Sequence, residues 1–103
     1  MTEEELQTYL VDHCQVIDMF REKALEFQND RNHERPANKR WPQVTIENEV
    51  NKMVDQFISN VHNNLSGAFK ESQLHPYESW VNFIENHEVL DNLEESVADL
   101  AFA

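Results

Sequence analysis

Apolar side chains, with one histidine among them, recur at alternating steps of four and three between residues 6 and 27. This spacing places them in a narrow row along one face of an α-helix. The pattern predicts a long N-terminal helix over residues 3–29, about 40 Å in length at ~1.5 Å per residue. We call this row the seam, and it consists of Leu6, Leu10, His13, Ile17, Phe20, Ala24 and Phe27.

The limits of this first helix are also marked in the sequence. Thr2 and Glu5 have the spacing of a capping box, and the acidic first turn suits the positive end of the helix dipole. Pro36 cannot continue a helix. Residues 30–44 are therefore predicted to form a polar connector. His13, as a member of the seam, is expected to pack at a helix contact with one ring nitrogen satisfied.

A second helix is predicted over residues 45–66, antiparallel to the first, with Thr45 as its N-cap and Gly67 as its C-cap. Val54 and Ile58 widen its apolar face. The main row of that face, again at steps of three and four, consists of Ile46, Val50, Met53, Phe57, Val61 and Leu65.

Two shorter helices are predicted towards the end of the chain, over residues 76–86 and 91–101. Pro76 suits the first turn of one helix, and Asp91 suits the N-cap of the other. Phe102 lies beyond both, so it contributes to the fold only if it folds back or meets another chain.

The composition favours the same fold class. A single glycine and three prolines provide few of the turns that a β-rich chain needs. The 103 residues, of which 40% are apolar, suffice for one hydrophobic core. The sequence therefore predicts an all-α protein, a small three- to four-helix bundle with a long N-terminal helix, as a single domain over residues 1–103.

Charge is the unusual feature of the composition. The chain has 20 acidic residues and 8 Lys and Arg residues, a formal net charge of −12. Residues 71–103 contain eight acidic residues without Lys or Arg, and residues 1–30 have a net charge of −6. Such a chain repels phosphate backbones and anionic lipids. We therefore expect no direct nucleic-acid or membrane binding, and we expect a basic protein partner.

The cellular compartment is predicted from absent signals. Cys14 is alone, which excludes a disulfide within the chain. The acidic N-terminus does not resemble a signal peptide, and no apolar stretch approaches the length of a membrane span. These features favour the cytoplasm.

The connector is locally basic and ends near Trp41. One interpretation is a site for an anion or an acidic peptide, with the indole as an aromatic platform. The other is a linker whose cations offset the acidic helices while Trp41 covers the end of the bundle. The second is favoured because Asp30 and Glu34 dilute the charge. The basic residues of the connector are Arg31, Arg35, Lys39 and Arg40.

The leading functional hypothesis is an acidic protein-interaction module. We expect an inhibitor, or a factor of the antitoxin or phage type, that occludes a basic surface of its partner, including a nucleic-acid-binding one, in the manner of a DNA mimic. Trp80 and Phe83 would be apolar anchors if they are exposed. The predicted partner-binding residues are Glu78, Trp80, Phe83, Glu85, Glu88, Asp91, Glu94, Glu95 and Asp99.

Two alternatives belong to other functional classes. The first is a homodimeric structural or assembly subunit whose two copies meet along the seam. The second is a metal-dependent all-α hydrolase. Two acidic groups resemble the magnesium-binding carboxylate clusters of all-α nucleotide pyrophosphohydrolases, although the EExxE and ExxD spacing of that family is absent. These groups are Glu94, Glu95 and Asp99, and Glu47, Glu49 and Asp55.

Sequence motifs for catalysis are missing. The five histidines form no HxxxH or HExxH pattern, and no GxSxG or glycine-rich loop is present. Cys14 has no activating neighbours and is expected to be a small buried side chain. We therefore predict a protein that is not an enzyme, without catalytic residues, metal ligands or a cofactor.

Overall fold

The computed structural model describes residues 1–102, so that Ala103, the last residue of the predicted domain, lies outside the described residues. Within this range the chain forms five α-helices and one short 3₁₀ helix and contains no strand. The all-α class and the small bundle are confirmed, with five helices in place of three or four. The α-helices are α1 (Glu3–His13), α2 (Val16–Glu34), α3 (Gln43–Ala68), α4 (Pro76–Asn86) and α5 (Val89–Ala98), and the 3₁₀ helix is Ala37–Lys39.

The prediction of one unbroken N-terminal helix is wrong. Cys14 is extended, with φ −154° and ψ −178°, and it separates α1 from α2. Residues 11–14 are Val, Asp, His and Cys, four weak helix formers in a row. The break also turns the polar His13 out to solvent, while Val16 becomes fully buried. A continuous helix would have kept the histidine in the seam.

The connector is shorter than predicted, because α2 continues to Glu34. Arg35 is extended and Pro36 follows it, so the helix ends where the proline requires. The connector between α2 and α3 therefore consists of residues 35–42.

The second predicted helix is present as α3, but both of its predicted caps are wrong. The helix starts at Gln43, and the Pro42 carbonyl accepts from the amides of Thr45 and Ile46. At its other end α3 passes through Gly67, which has open space around it, and stops at Ala68. The 26 residues of α3 span about 39 Å.

The two predicted C-terminal helices are present, the first at its predicted bounds and the second shifted from residues 91–101 to Val89–Ala98. Pro76 lies in the first turn of α4, which ends at Asn86 as predicted. Glu88 then adopts the left-handed conformation, with φ 53°, and this turn leads straight into α5 at Val89. Asp91 therefore lies inside the first turn of α5 and is not its N-cap.

Helix α3 is antiparallel to the N-terminal helix pair α1 and α2, as predicted. Near the start of α1, the Ser59 hydroxyl donates to Glu3 at 2.8 Å. Further along the pair, Arg21 of α2 donates to Asn51 of α3 at 2.6 Å. The single helix α3 thus covers both members of the broken pair.

The C-terminal helix pair α4 and α5 runs parallel to α1 and α2. Tyr77 lies beside Thr8 at the start of the two pairs. Beyond the break, the Gln15 amide donates to Glu94, and Lys23 donates to the Leu100 carbonyl at 2.8 Å. The result is an elongated molecule of 56 × 23 × 22 Å.

The core lies between three layers, which are the α1 and α2 pair, helix α3, and the α4 and α5 pair. It includes most of the seam. Phe102 folds back onto the rings of Phe20 and Phe27, at centroid distances of 5.7 and 5.1 Å. His13 is exposed and Phe27 is half-buried. The other seam residues are buried inside one chain: Leu6, Leu10, Ile17, Phe20 and Ala24. A homodimer would therefore need a surface other than the seam. Among residues 1–102 no helix is both long and apolar enough to cross a membrane.

Candidate protein-binding surface

The two acidic zones of the sequence lie next to each other in the folded chain. This follows from the parallel packing of the N-terminal and C-terminal helix pairs. Glu4 and Glu5 of α1 share a shallow depression with Tyr77 of α4. The pKa of Tyr9 is raised above its usual value, chiefly by burial and next by the negative charge of Glu85. Carboxylates from residues 1–30 and 71–102 thus lie on neighbouring helices.

Most of the predicted partner-binding carboxylates are exposed. In residues 1–102 the ion pairs are that of the Met1 ammonium with Glu71 and that of Lys52 with Glu49. None of the exposed carboxylates of α4, α5 and their flanking residues takes part in either pair, so their charge faces solvent. We call this set the acidic surface, and it consists of Glu78, Glu85, Glu88, Asp91, Glu95 and Asp99.

Glu94 differs from the rest of the predicted set. Its side chain is half-buried, and its carboxylate accepts from the Gln15 amide at 3.3 Å. Gln15 is the N-cap of α2 but makes no side-chain capping bond of its own. Glu94 therefore places a negative charge at the positive end of α2, which stabilises that helix. The Glu94 carboxylate thus contacts another part of the same chain.

Trp80 is not an exposed anchor, and this prediction is corrected. The side chain is only 2% exposed because it fills the space between α4 and α3. Its ring lies 4.9 Å from that of His62 and 5.3 Å from that of Phe69. Phe83 is half-buried, with its ring stacked 4.6 Å from Phe69. Both aromatic residues therefore contribute mainly to packing within the chain.

The indole of Trp80 belongs to a group of contacting residues that we call the closed end. Its Nε1–H donates to Glu71 at 2.6 Å, and the Met1 ammonium donates to the same oxygen at 3.3 Å. These two donors, the indole first, lower the pKa of the Glu71 carboxyl below its usual value. His62 completes the cluster, with Nε2 2.7 Å from the Met1 carbonyl oxygen. The closed end consists of Met1, His62, Phe69, Glu71 and Trp80.

The basic connector is held together by its own side chains. The Asn32 side chain bonds to both the amide and the carbonyl of Trp41, at 2.8 and 3.1 Å. The Arg35 guanidinium stacks 3.8 Å above the Trp41 ring. Arg40 donates to the carbonyls of His33 and Arg35 at the end of α2. These contacts favour the linker interpretation over an anion site.

Sequence reasoning missed an apolar groove between α3 and α5. Both helices pack against α2 but approach each other much less, which leaves an open space of about 510 Å³. Met53 and Phe57 of α3, assigned to the core by the sequence, are half-buried here, while Val54 and Ile58 take the core positions. The groove is lined by apolar Phe20, Met53, Phe57, Leu100 and Phe102, and by polar Glu49, Lys52, Gln56, Asn60 and Ser96.

Metal-ligating and nucleophilic groups are not brought together. Among residues 1–102 no group of three His, Cys, Asp or Glu side chains is placed to hold a metal ion. Of the two acidic groups with a pyrophosphohydrolase-like composition, one lies on α3 and the other on α5 and the residue that follows it. Cys14 is half-buried, and its thiol donates to the Leu10 carbonyl at 3.2 Å. Burial raises the pKa of this thiol, which disfavours the reactive thiolate.

Comparisons with known proteins do not assign the chain to a family. No protein-family model matches it, and neither the curated proteins nor the solved structures give a match.

Proposed function

We propose that this protein is an acidic protein-binding module that occludes a basic surface of a partner protein, as an inhibitor or antitoxin-type factor would. The observation that supports the proposal is the adjacency of the two acidic zones. They are separated by some forty residues of sequence, yet their carboxylates lie on neighbouring parallel helices. Clusters of exposed carboxylates attract basic surfaces and speed association with them.

The DNA-mimic form of this proposal depends on charge density. Duplex DNA carries one charge per about 1.7 Å of axis, and the C-terminal segment alone would carry about one per 6 Å along a helix. Carboxylates of α1, among them Glu4 and Glu5, add to those of α4 along the same stretch. A basic groove that normally holds nucleic acid is therefore one of the surfaces that the proposal covers.

The proposal is tested by capturing partners from a lysate at low and high salt. We expect the captured protein to be basic and to be released as the salt concentration rises, because salt screens exposed charges. The double variant Glu85→Gln, Asp91→Asn should weaken capture. The double variant Glu47→Gln, Asp55→Asn removes the same two charges from α3 and should leave it unchanged.

Two results would contradict the proposal. One is capture that does not respond to salt. The other is an equal loss in the two double variants, since this would mean that total charge matters and its position does not.

A further inference from the structure

The groove between α3 and α5 is an apolar surface that the described chain leaves uncovered. Phe57 and Met53 form one wall, Leu100 lies across from them, and Phe20 of α2 forms the floor. We propose that this groove binds a basic amphipathic helix of the partner protein, about three turns long. This inference rests on the proposed function, since it takes the partner to be basic.

The shape of the groove fits a helix. Helices α3 and α5 lie side by side on α2 without closing on each other, which is the arrangement of a helical layer that lacks one member. The α3 wall extends from Glu49 to Asn60, which at 1.5 Å per residue is about 16 Å, or three helical turns. Apolar residues of the incoming helix at steps of three and four would meet Met53 and Phe57.

The charged residues along the edges of the groove, which we call its rim, favour a basic helix as the bound segment. On the α5 side, Ser96 lines the groove, and Asp99, three residues later, is its neighbour on the same helix surface. Glu95 adds a second exposed carboxylate beside it. On the α3 side, Lys52 is paired with Glu49 at 3.1 Å, so that its charge is balanced. At the end of α5, Lys23 of α2 donates to the carbonyls of Ala98 and Leu100, so its charge lies next to Asp99. The three carboxylates Glu49, Glu95 and Asp99 outnumber the two cations Lys52 and Lys23, which leaves the rim with a net charge of −1.

The same charges disfavour a second copy of this chain as the occupant. The chain carries a net charge of −12, and the helices α4 and α5 contain neither Lys nor Arg. Helix α4 or α5 of a second copy would bring further carboxylates to an acidic rim, and like charges at an interface repel. In the basic connector, Arg35 is stacked on Trp41 and Arg40 is bonded to carbonyls at the end of α2. A basic partner brings the opposite charge.

The test uses three synthetic peptides of about 14 residues. One has a leucine face and a lysine face, the second has the same leucine face with glutamate, and the third is a scrambled form of the first. Binding to the full chain is followed by fluorescence anisotropy and by the helical signal of the peptide. We expect only the first peptide to bind and to become helical.

Variants then locate the binding. Ser96→Trp on one wall and Gln56→Trp on the other fill the groove from exposed positions, and each should weaken binding about tenfold or more. Asn82→Trp adds the same side chain to exposed α4 and should have no effect. Glu95→Gln with Asp99→Asn should weaken binding about fivefold at low salt and less at high salt.

Several outcomes would overturn the inference. These are equal binding of the lysine and glutamate peptides, binding that survives both tryptophan variants in the groove, a concentration-dependent dimer that Ser96→Trp abolishes, and binding of small apolar dyes but of no peptide. Failure here is distinct from failure of the proposed function. If Ser96→Trp still captures a basic partner in a salt-sensitive manner, the acidic surface acts without the groove.

Discussion

The C-terminal part of α3 is closed by α4, whereas the middle of α3 is left open by α5. At the closed end a tryptophan from α4 reaches α3, where it contacts His62 and Phe69. At the groove, α5 presents Ser96 and Leu100 to Met53 and Phe57 of α3. The two C-terminal helices are similar in length and follow each other directly, so the difference arises from their side chains.

Side-chain size explains this difference. The backbones of α4 and α3 do not pack closely, and the large ring of Trp80 fills the space between them. Helix α5 carries no aromatic residue, and its fully buried residue is Val97. Only Phe102, beyond the helix end, adds a ring there, and it leaves the space between the two helices open. A small bundle thus completes its core where it has an aromatic bridge and keeps an apolar groove where it does not.

Removing the Trp80 ring, which bridges α4 and α3, should open the closed end. Trp80→Ala deletes a fully buried ring and leaves Glu71 without its indole donor, so we expect the free energy of unfolding to fall by about 3 to 5 kcal/mol. Urea denaturation measures the loss. Leu74→Ala is the control, because Leu74 is 86% exposed and its truncation should be neutral. A loss below 1 kcal/mol for Trp80→Ala, on the order expected at the surface, would mean that α4 is held without the bridge.

Truncating a ring of the groove should cost less than truncating Trp80. Phe57 stacks on Phe20 at a centroid distance of 4.4 Å but is covered on one side only. Phe57→Ala should therefore reduce the free energy of unfolding by about 2 kcal/mol, roughly half the cost of a fully buried ring. Thermal and urea unfolding give this value. A loss equal to that of Trp80→Ala would show that the groove is closed in solution.

Supplying α5 with an aromatic residue should close the groove. Ser96→Phe places a ring opposite Phe57 from an exposed position of α5, without removing any described contact. Filling the space should stabilise the chain by about 0.5 to 1 kcal/mol. Asn82→Phe places the same ring on exposed α4, where we expect no gain. If both variants behave alike, the gain comes from helix propensity and not from the groove.

Hydrophobic periodicity predicted where most of the helices lie but not how they are arranged. It located α4 at its observed limits and α3 within two residues, because their apolar rows are regular. Pro76 marks the start of α4, whereas α3 starts directly after Pro42, two residues before the predicted cap Thr45. The periodicity missed the break at Cys14, because no proline or glycine marks it. The weak helix formers at residues 11–14 were the signal that could have found it.

The candidate site was predicted only in its charged part. Carboxylates on amphipathic helices are exposed almost by necessity, so the acidic surface followed from the sequence. Helical spacing also places Trp80 on the inner face of its helix, and its burial confirms this. The side chains that the ring meets there could not be predicted, because they depend on where α3 lies. The groove left one trace in the sequence: the adjacent apolar pairs Met53 and Val54, and Phe57 and Ile58, make the face of α3 wider than α1 and α2 can cover.

The smallest effect that distinguishes the two regions is a dependence of stability on pH at the closed end. The pKa of Glu71 is lowered in the folded chain, first by the Trp80 indole and then by the Met1 ammonium. Below the usual carboxyl pKa of 4.5 the unfolded chain therefore binds more protons than the folded one at this residue. The contribution of Glu71 is fully present above that pH and is lost as the pH falls through the folded pKa.

Trp80→Phe keeps a large ring but removes the donor that lowers this pKa most, so its stability should fall less steeply in acid than that of the unmodified chain. Urea midpoints from neutral pH to about pH 3 give both slopes. Phe57→Ala, in the groove, should lower the midpoint by the same amount at every pH, because the ring on which Phe57 stacks, that of Phe20, does not titrate. Parallel profiles for all three proteins would mean that the carboxylate of Glu71 does not stabilise the closed end, which would then depend on the packing of the indole alone.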